Sequence, residues 1–299
     1  MVHVKIPATT ANFGPGFDCV GMALRLYNHV WAEKTEGGLV IETNTDGAPA
    51  DEANLVYRSI ARFYEETGGR LYFGLRLIQK DNIPMTRGLG SSAACVAAGL
   101  CAANALSGRG LSRSDLALMA ARIEGHPDNA APAILGGLVV GAMGEDGLRC
   151  VSLGAKYLDG LRFAAIIPDF TLATETARCV LPKEIPVGDA VFNISRAALL
   201  IAALAEKDYG KLAEAARDKI HQPSRTPLVP DMEEILGKAV GLGAYSAFLS
   251  GAGPTLIAIY DEGNRQFEEA LRGFLSGLSR KWVLTSLKAD YEGVVVEND

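Results

Sequence analysis

The sequence has few cysteines and histidines, and they follow no disulfide or metal-ligand spacing. Its 299 residues include five cysteines, an odd number without a Cys-x-x-Cys pair, and four scattered histidines. A disulfide framework or a zinc cluster needs such residues in pairs at defined distances along the chain. We therefore expect reduced thiols in a cytoplasmic protein, with the cysteines serving as small apolar side chains.

Runs of basic residues and long apolar runs are also missing. Lys and Arg total 29 against 35 Asp and Glu, which gives a formal net charge of −6. A nucleic-acid partner is not expected, because no basic cluster could neutralise a phosphate backbone. The longest apolar stretches, residues 93–106 and 130–143, are about 14 residues long and too short to cross a bilayer. The first residues carry no apolar signal segment, so neither export nor a membrane partner is expected.

The sequence is 48% apolar and mixes strand and helix patterns in an irregular order. This order favours the α+β class over a strict βαβα alternation, with a domain boundary in the polar region 144–160. Alternating and turn-bounded apolar segments predict strands at 2–6, 30–33, 39–43, 72–79, 134–143, 162–167, 245–249, 255–260 and 282–287. Periodicity near 3.6 predicts helices at 54–67, 91–106, 112–124, 190–206, 209–220, 231–240 and 264–278. Ser112 followed by Asp115 is typical of a capped helix start.

A glycine-rich stretch, Pro-Met-Thr-Arg-Gly-Leu-Gly-Ser-Ser-Ala-Ala at 84–94, stands directly before an alanine-rich helical pattern. Glycines allow close backbone approach, and a helix start offers free N–H groups and a positive dipole end. The combination predicts an anion cradle suited to phosphate, although a plain turn with a serine helix cap fits the same letters. A dinucleotide fingerprint is not favoured, because another helix follows where a strand with an acidic end is needed. A Walker A loop is not favoured, because that motif ends in Gly-Lys-Ser/Thr and residues 84–94 contain no lysine.

Other segments also carry polar or glycine-rich groups of residues. Residues 7–18 place an amide and a carboxylate in a turn-rich segment, and residues 124–129 put two acids, an imidazole and an amide beside an apolar stretch. Such density is costly beside a core unless a ligand is bound. A metal site built on His126 is weakly supported, because the four histidines show no ligand spacing. Ser92 and Glu124 offer a hydroxyl and a carboxylate, which suit the oxygen preference of magnesium. Arg178 and Arg225 read singly as surface cations, and residues 250–255 read as a glycine hairpin or a second binding loop.

Taken together, these segments resemble the GHMP kinase family. The blocks PATTANFGPGFD (7–18), IPMTRGLGSSAA (83–94), EGHPDNAAPAILGG (124–137), TETAR (174–178) and SGAGPT (250–255) occur in the family's order over nearly the whole chain. The resemblance implies an α+β fold with an N-terminal α/β domain carrying the phosphate loop (1–155) and a ferredoxin-like C-terminal domain (156–299). It also implies ATP and Mg²⁺, a cytoplasmic homodimer, and L-homoserine as the phosphate acceptor.

The resemblance also assigns residues to the site. Near the ATP phosphates it places Pro84, Arg87, Gly88, Leu89, Gly90, Ser91, Ser92, Ala93 and Ala94, and near the adenine Asn54 and Val56. At magnesium it places Ser92 and Glu124, and at the reacting groups Asp128, Asn129 and Thr174. Around the amino acid it places Asn12, Asp18, His126, Asn129, Arg178 and Arg225.

The residue chemistry suits such a substrate independently. An amino acid is a zwitterion, and Arg178 and Arg225 beside Asp18 and Asn12 offer cations for its carboxylate and acceptors for its ammonium. Asp128 is the nearest acid along the sequence that could take the hydroxyl proton, and the phosphate itself is the alternative acceptor. Another small-molecule kinase of the same family, or a sensor that binds ATP without cleaving it, are the other interpretations.

Overall fold

Eleven strands and ten α-helices make up the structure, a computed structural model that describes residues 1–298. The strands are β1 (Val2–Asn12), β2 (Gly16–Thr35), β3 (Leu39–Thr43), β4 (Gly74–Lys80), β5 (Leu138–Gly144), β6 (Gly147–Leu153), β7 (Leu161–Pro168), β8 (Ser246–Leu249), β9 (Leu256–Asp261), β10 (Trp282–Leu287) and β11 (Val295–Asn298). The helices are α1 (Leu55–Glu66), α2 (Ser91–Ser107), α3 (Arg113–Glu124), α4 (Pro127–Leu135), α5 (Thr174–Cys179), α6 (Val187–Glu206), α7 (Leu212–Ala215), α8 (Gln222–Arg225), α9 (Met232–Gly241) and α10 (Phe267–Leu275).

The strands form two sheets. The first has seven strands in the order β11-β1-β2-β4-β3, with β5 and β6 attached beside β2, and only β3 and β4 pair in parallel. The second is antiparallel, in the order β10-β7-β9-β8. Its succession β7-α9-β8-β9-α10-β10 is the ferredoxin-like arrangement, in which the last strand lies beside the first. The predicted α+β class and ferredoxin-like second half are confirmed.

The core joins the two sheets. Helix α2 is rich in alanine, and a Cβ at Gly99 would lie 2.6 Å from the Val56 carbonyl oxygen, so small residues let α1 and α2 pack closely. The larger apolar cluster includes Phe163 and Phe248 of the second sheet, and the rings of Phe13 and Phe248 lie 4.8 Å apart. A separate cluster lies between the second sheet and α9 and α10. The halves are thus packed as one body, and side chains from both can meet at their junction.

The N-terminal hairpin is longer than predicted. The sequence places turns at 7–18, but β1 continues to Asn12 and β2 starts at Gly16, so only three residues form the turn. Cross-strand pairing and complete burial of Thr9 and Thr10 outweigh the weak strand propensity of this segment. The hairpin therefore carries Asn12 and Asp18 inward on a rigid support.

The predicted strand at 30–33 is only the last part of β2, and two other predicted elements are wrong over part of their range. The predicted strand at 134–143 begins only at Leu138, because Pro127 starts a helix that continues to Leu135. The predicted helix at 209–220 is broken, because the Asp218 carboxylate accepts hydrogen bonds from three following backbone N–H groups and starts a new turn. The pairs β5/β6 and β1/β11 extend the first sheet, and the division at 155/156 stays a prediction.

Candidate active site

A cleft of about 570 Å³ lies where the starts of α2, α4 and α5 meet the N-terminal hairpin and α8. Sixteen of the predicted site residues line it: Asn12, Asp18, Asn54, Arg87, Gly88, Gly90, Ser91, Ser92, Ala93, Glu124, His126, Asp128, Asn129, Thr174, Arg178 and Arg225. Pro84, Val56, Leu89 and Ala94 do not line it, and the last three have fully buried side chains. Groups from both halves of the chain thus converge on one cavity.

The glycine-rich loop ends in an open helix terminus that faces the cleft. Helix α2 starts at Ser91, with Gly90 as its N-cap in the left-handed region (φ +69°) and without a side-chain cap, so the serine-cap alternative is wrong. The N–H groups of its first turn are available to an anion. Ser250 Oγ lies 2.6 Å from the Gly88 carbonyl oxygen, and the Thr9 N–H donates to the Leu89 carbonyl at 3.1 Å. The loop is therefore anchored on both halves.

Gly90→Ala should weaken ATP binding, because a Cβ there would lie 1.9 Å from Thr9 Oγ1. We expect the KM for ATP to rise about tenfold or more and the melting temperature to fall, since the loop must move away from Thr9. Gly110→Ala is the matched control, because Gly110 has the same φ of +69° with no atom within 4 Å of the added Cβ. Equal effects of the two substitutions on ATP kinetics and thermal unfolding would contradict this steric account.

The Arg87 side chain donates hydrogen bonds to backbone carbonyls of the second half of the chain. Its Nε donates to the carbonyl of Pro168, the last residue of β7, and its Nη2 to the carbonyl of Asp169 directly after it, both at 3.1 Å. These bonds hold the glycine-rich loop against the second sheet. Direct contact of Arg87 with phosphate stays a prediction.

Ser92 and Glu124 form an oxygen pair beside the α2 terminus. The Ser92 hydroxyl donates to Glu124 Oε1 at 2.9 Å. Burial raises the pKa of Glu124 above its usual value, although the Ser92 hydrogen bond opposes the shift. A partly buried carboxylate and a hydroxyl next to an anion cradle fit the oxygen preference of Mg²⁺.

The start of α4 supplies a group of polar side chains. His126 Nδ1 lies 2.5 Å from Asp128 Oδ1, and Thr9 Oγ1 donates to Asn129 Oδ1 at 2.7 Å. Burial opposes the shift, but the hydrogen bond and charge of Asp128 raise the pKa of His126. Asp18, His126 and Asp128 offer ligand atoms within 4.8 Å of one another. Because Asp18 is also paired with Arg178, these groups resemble a polar substrate pocket more than a metal centre.

Asn12 and Asp18, on the strands that flank the hairpin turn, both lie in the left-handed region, at φ +73° and +56°. Asn12 Oδ1 accepts from the Asp18 N–H at 3.1 Å, and its Nδ2 donates to the Gly251 carbonyl at 2.9 Å. Asp18 and Arg178 form a two-bond fork of 3.1 and 2.7 Å, which raises the pKa of Arg178. Non-glycine residues in this conformation are strained and are common at functional sites.

Asn54 and Thr174 lie at other parts of the rim. Asn54 caps α1 by accepting from the Val56 N–H at 3.0 Å, and its Nδ2 donates to Gln79 Oε1 at 2.7 Å. Thr174 is the first residue of α5 and is exposed to the cleft. Asn54 therefore orders the part of the cleft at the start of α1. The Thr174 hydroxyl, in contrast, is free to contact a ligand.

Several cleft residues were not selected from the sequence. Phe17 presents its ring to both Arg178 and Arg225, at 5.7 and 5.4 Å from the guanidinium carbons. Gly251, Ala252, Gln79, Asp81 and Cys95 also line the cleft. Phe17 and the 250–255 loop belong to the recognised blocks, which is the signal that could have selected them. Burial raises the pKa of Cys95 to about 12, which makes it an unreactive lining residue.

Known proteins resemble this chain in both sequence and fold. Residues 54–137 match the model of the GHMP kinases N terminal domain, and residues 200–276 match the GHMP kinases C terminal model. A homoserine kinase from Caldicellulosiruptor saccharolyticus is 45% identical over 99% of this chain and 96% of that protein. One from Clostridium botulinum is 41% identical over 100% and 99%. The crystal structure of homoserine kinase from Cytophaga hutchinsonii superposes with a TM-score of 0.88 at 30% identity, covering 99% and 97% of the two chains.

The chain belongs to the GHMP kinases, a class of ATP-dependent kinases whose two domain models it matches in order. Identity above 40% along the whole length places it in the homoserine kinase family within that class.

Proposed function

We propose that this chain transfers the γ-phosphoryl group of ATP to the side-chain hydroxyl of L-homoserine, giving O-phospho-L-homoserine and ADP on the route to threonine. One observation carries the proposal. A single cleft joins an open helix terminus suited to phosphates with two arginines and an aspartate suited to a zwitterion. Neither mevalonate nor a sugar presents an ammonium beside a carboxylate.

The ATP end of the cleft is built from backbone more than from side chains. The first-turn N–H groups of α2 bind the phosphates, and the glycine-rich loop lets the chain approach them closely. Asn54 orders the α1 terminus near the adenine. Ser92 and Glu124 would hold magnesium, which would neutralise charge on the phosphates when bound.

The homoserine end binds both charges of the amino acid. Arg178 and Arg225 receive the carboxylate, and Asp18 with Asn12 receives the ammonium. Asp18 and Arg178 carry the charges that complement the ammonium and the carboxylate of the zwitterion, but without substrate they are paired with each other. Substrate binding therefore replaces part of this ion pair with new ion pairs to the substrate. His126 and Asn129 line the region between the two ends and direct the hydroxyl toward the phosphate.

The chemistry requires in-line positioning of the hydroxyl and neutralisation of charge. Asp128 is nearly fully buried and holds His126 and Asn129 through its Oδ1, at 2.5 and 3.4 Å from their nitrogens. It is the protein carboxylate assigned to accept the hydroxyl proton, with the phosphate oxygens as the alternative acceptor. The Thr174 hydroxyl donates to the transferred group.

A coupled ADP assay with an acceptor panel tests the function. With Mg-ATP we expect ADP release in response to L-homoserine, and much less with mevalonate, galactose or L-serine. Turnover of another acceptor in place of L-homoserine would assign the chain to a different substrate of the family. Bound but uncleaved ATP in a single-turnover experiment would favour a ligand sensor.

We also propose a cytoplasmic homodimer. All five cysteines are free, which suits a reducing compartment.

Helix α6 is long and apolar enough to cross a membrane by length and composition alone, but its Asn193, Asp189 and Arg196 side chains bind the 214–219 segment of the fold. Its exposed face carries Val187, Val191, Ile194 and Ala198 at spacings of four and three. Such a stripe fits a second copy, which light scattering of the purified chain would measure.

A further inference from the structure

The donors of Arg225 are divided between the protein and the cleft. The side chain is only 1% exposed, its Nε donates to the Ala177 carbonyl at 3.0 Å, and its Nη1 donates to the Gly251 carbonyl at 3.0 Å and to His221 Nδ1 at 3.1 Å. Three of its five N–H groups are therefore used for anchoring. Among the described residues none accepts from Nη2, and Arg225 lines the cleft. The two remaining N–H groups are those that can reach a substrate carboxylate.

His221 anchors Arg225 in only one protonation state. Its Nε2 lies 2.7 Å from the Gly14 carbonyl oxygen, which accepts hydrogen bonds but cannot donate them. The hydrogen must therefore reside on Nε2, and Nδ1 is left as an acceptor for the Arg225 Nη1–H. Burial lowers the pKa of His221, which keeps the ring neutral beside the arginine. A proton on Nδ1 would replace this hydrogen bond by a clash between two donors.

Asp218 and Phe17 restrict the same ring. Asp218 Oδ2 lies 3.7 Å from His221 Nε2, and its carboxylate also accepts from the backbone N–H groups of His221 and Gln222 at 2.9 and 2.6 Å. Its negative charge favours hydrogen on the nearer nitrogen, Nε2. The Phe17 ring stacks on His221 with centroids 5.2 Å apart while its face also meets Arg225. The imidazole therefore has one orientation and one tautomer.

We propose that His221 is a positioning residue, which through its Nδ1 acceptor aims Arg225 at the carboxylate of the amino-acid substrate. The proposal rests on the proposed function for the identity of that substrate. His221 is fully buried and does not line the cleft, so it acts through the two cleft residues that it contacts, Arg225 and Phe17, and of these only Arg225 is hydrogen-bonded to it. Its removal affects recognition of the carboxylate and not the chemistry at the hydroxyl.

Three substitutions distinguish the contributions of the two ring nitrogens. His221→Asn keeps an acceptor near Nδ1, His221→Gln keeps a donor near Nε2, and His221→Phe keeps neither. We expect the KM for L-homoserine to rise about tenfold or more in the Phe and Gln variants and by less than about threefold in the Asn variant. The KM for ATP should stay within about twofold in all three. Ser246→Ala, which alters another buried polar side chain away from the cleft, is the control for general effects of core substitution.

A substrate without the carboxylate supplies the second readout. 3-Aminopropan-1-ol retains the hydroxyl and ammonium of L-homoserine, so its kcat/KM should change little in the His221→Phe variant. Equal losses for both acceptors, or rescue by Gln instead of Asn, would overturn the positioning role. Absence of ADP release by the unaltered chain with L-homoserine would instead count against the proposed function.

Nitrogen NMR of the ¹⁵N-histidine-labelled chain tests the proposal without catalysis. We expect His221, assigned by its loss in the Phe variant, to be the neutral Nε2–H tautomer at neutral pH. An Nδ1–H tautomer or an imidazolium would overturn the proposal, because neither offers an acceptor to Arg225. Thermal unfolding of each variant, recorded alongside, ensures that the kinetics are measured on folded protein.

Discussion

Replacing Arg225 by methionine should raise the KM for L-homoserine about 100-fold or more while the KM for ATP stays within about threefold. Methionine fills a similar volume but offers no charge and no donor. The substrate carboxylate would lose a two-bond contact to Nη2, and charge-assisted hydrogen bonds contribute about 1.5 to 3 kcal/mol each. Initial rates over a matrix of ATP and L-homoserine concentrations measure both constants.

The same substitution elsewhere is the control for Arg225. Arg280 is exposed and also rests on an aromatic ring, with its guanidinium carbon 5.7 Å from the Phe170 centroid, but it lies outside the cleft. Arg280→Met should leave both KM values unchanged. Arg225→Lys keeps the charge but not the planar fork, so we expect an intermediate loss. A KM for L-homoserine that does not change in Arg225→Met would remove Arg225 from the substrate site.

Local features of the site were predictable from the sequence because short-range physics determines them. The helix after the glycine-rich loop was predicted at 91–106 and is observed at Ser91–Ser107, since alanine propensity and flanking glycines define both ends. The Ser112–Asp115 capping box is confirmed for the same reason, as both partners lie within one turn. Convergence of Asn12, Arg178 and Arg225 on one cleft was expected only through the family resemblance.

The remaining features depend on contacts between distant segments. His221 reads as an ordinary polar residue in a loop, and its role becomes visible only when the fold brings the Gly14 carbonyl and Arg225 to its two nitrogens. The extended N-terminal hairpin was missed because its turn-forming residues are held in strand pairing by partners on β2. No periodicity in the sequence encodes either contact.

Glu124→Gln should lower activity and yet stabilise the ligand-free protein. Loss of a carboxylate from the proposed magnesium pair should reduce kcat about 100-fold or more at fixed Mg²⁺, since neutral amides bind this hard cation weakly. Burial raises the folded-state pKa of Glu124 above the unfolded-state value, so the unfolded chain releases the proton first, and folding stability falls as the pH rises from the unfolded-state pKa through the folded-state pKa. At neutral pH the glutamine variant avoids this cost, and we expect its melting temperature to be about 1 to 3 °C higher. As pH falls below the unfolded-state pKa, both forms are neutral and the difference should disappear.

Glu145→Gln removes the same charge from an exposed turn between β5 and β6 and serves as the control. It should change neither kcat nor the pH dependence of unfolding. Calorimetric scans of each ligand-free variant from about pH 4 to 8, with parallel Mg²⁺ titrations of activity, measure the two effects separately. A glutamine variant that is less stable than the parent at neutral pH would show that the Ser92 hydrogen bond, which favours the charged form, outweighs desolvation. Loss of activity together with a gain in stability would instead mark Glu124 as a residue retained for its ligand at the expense of the fold.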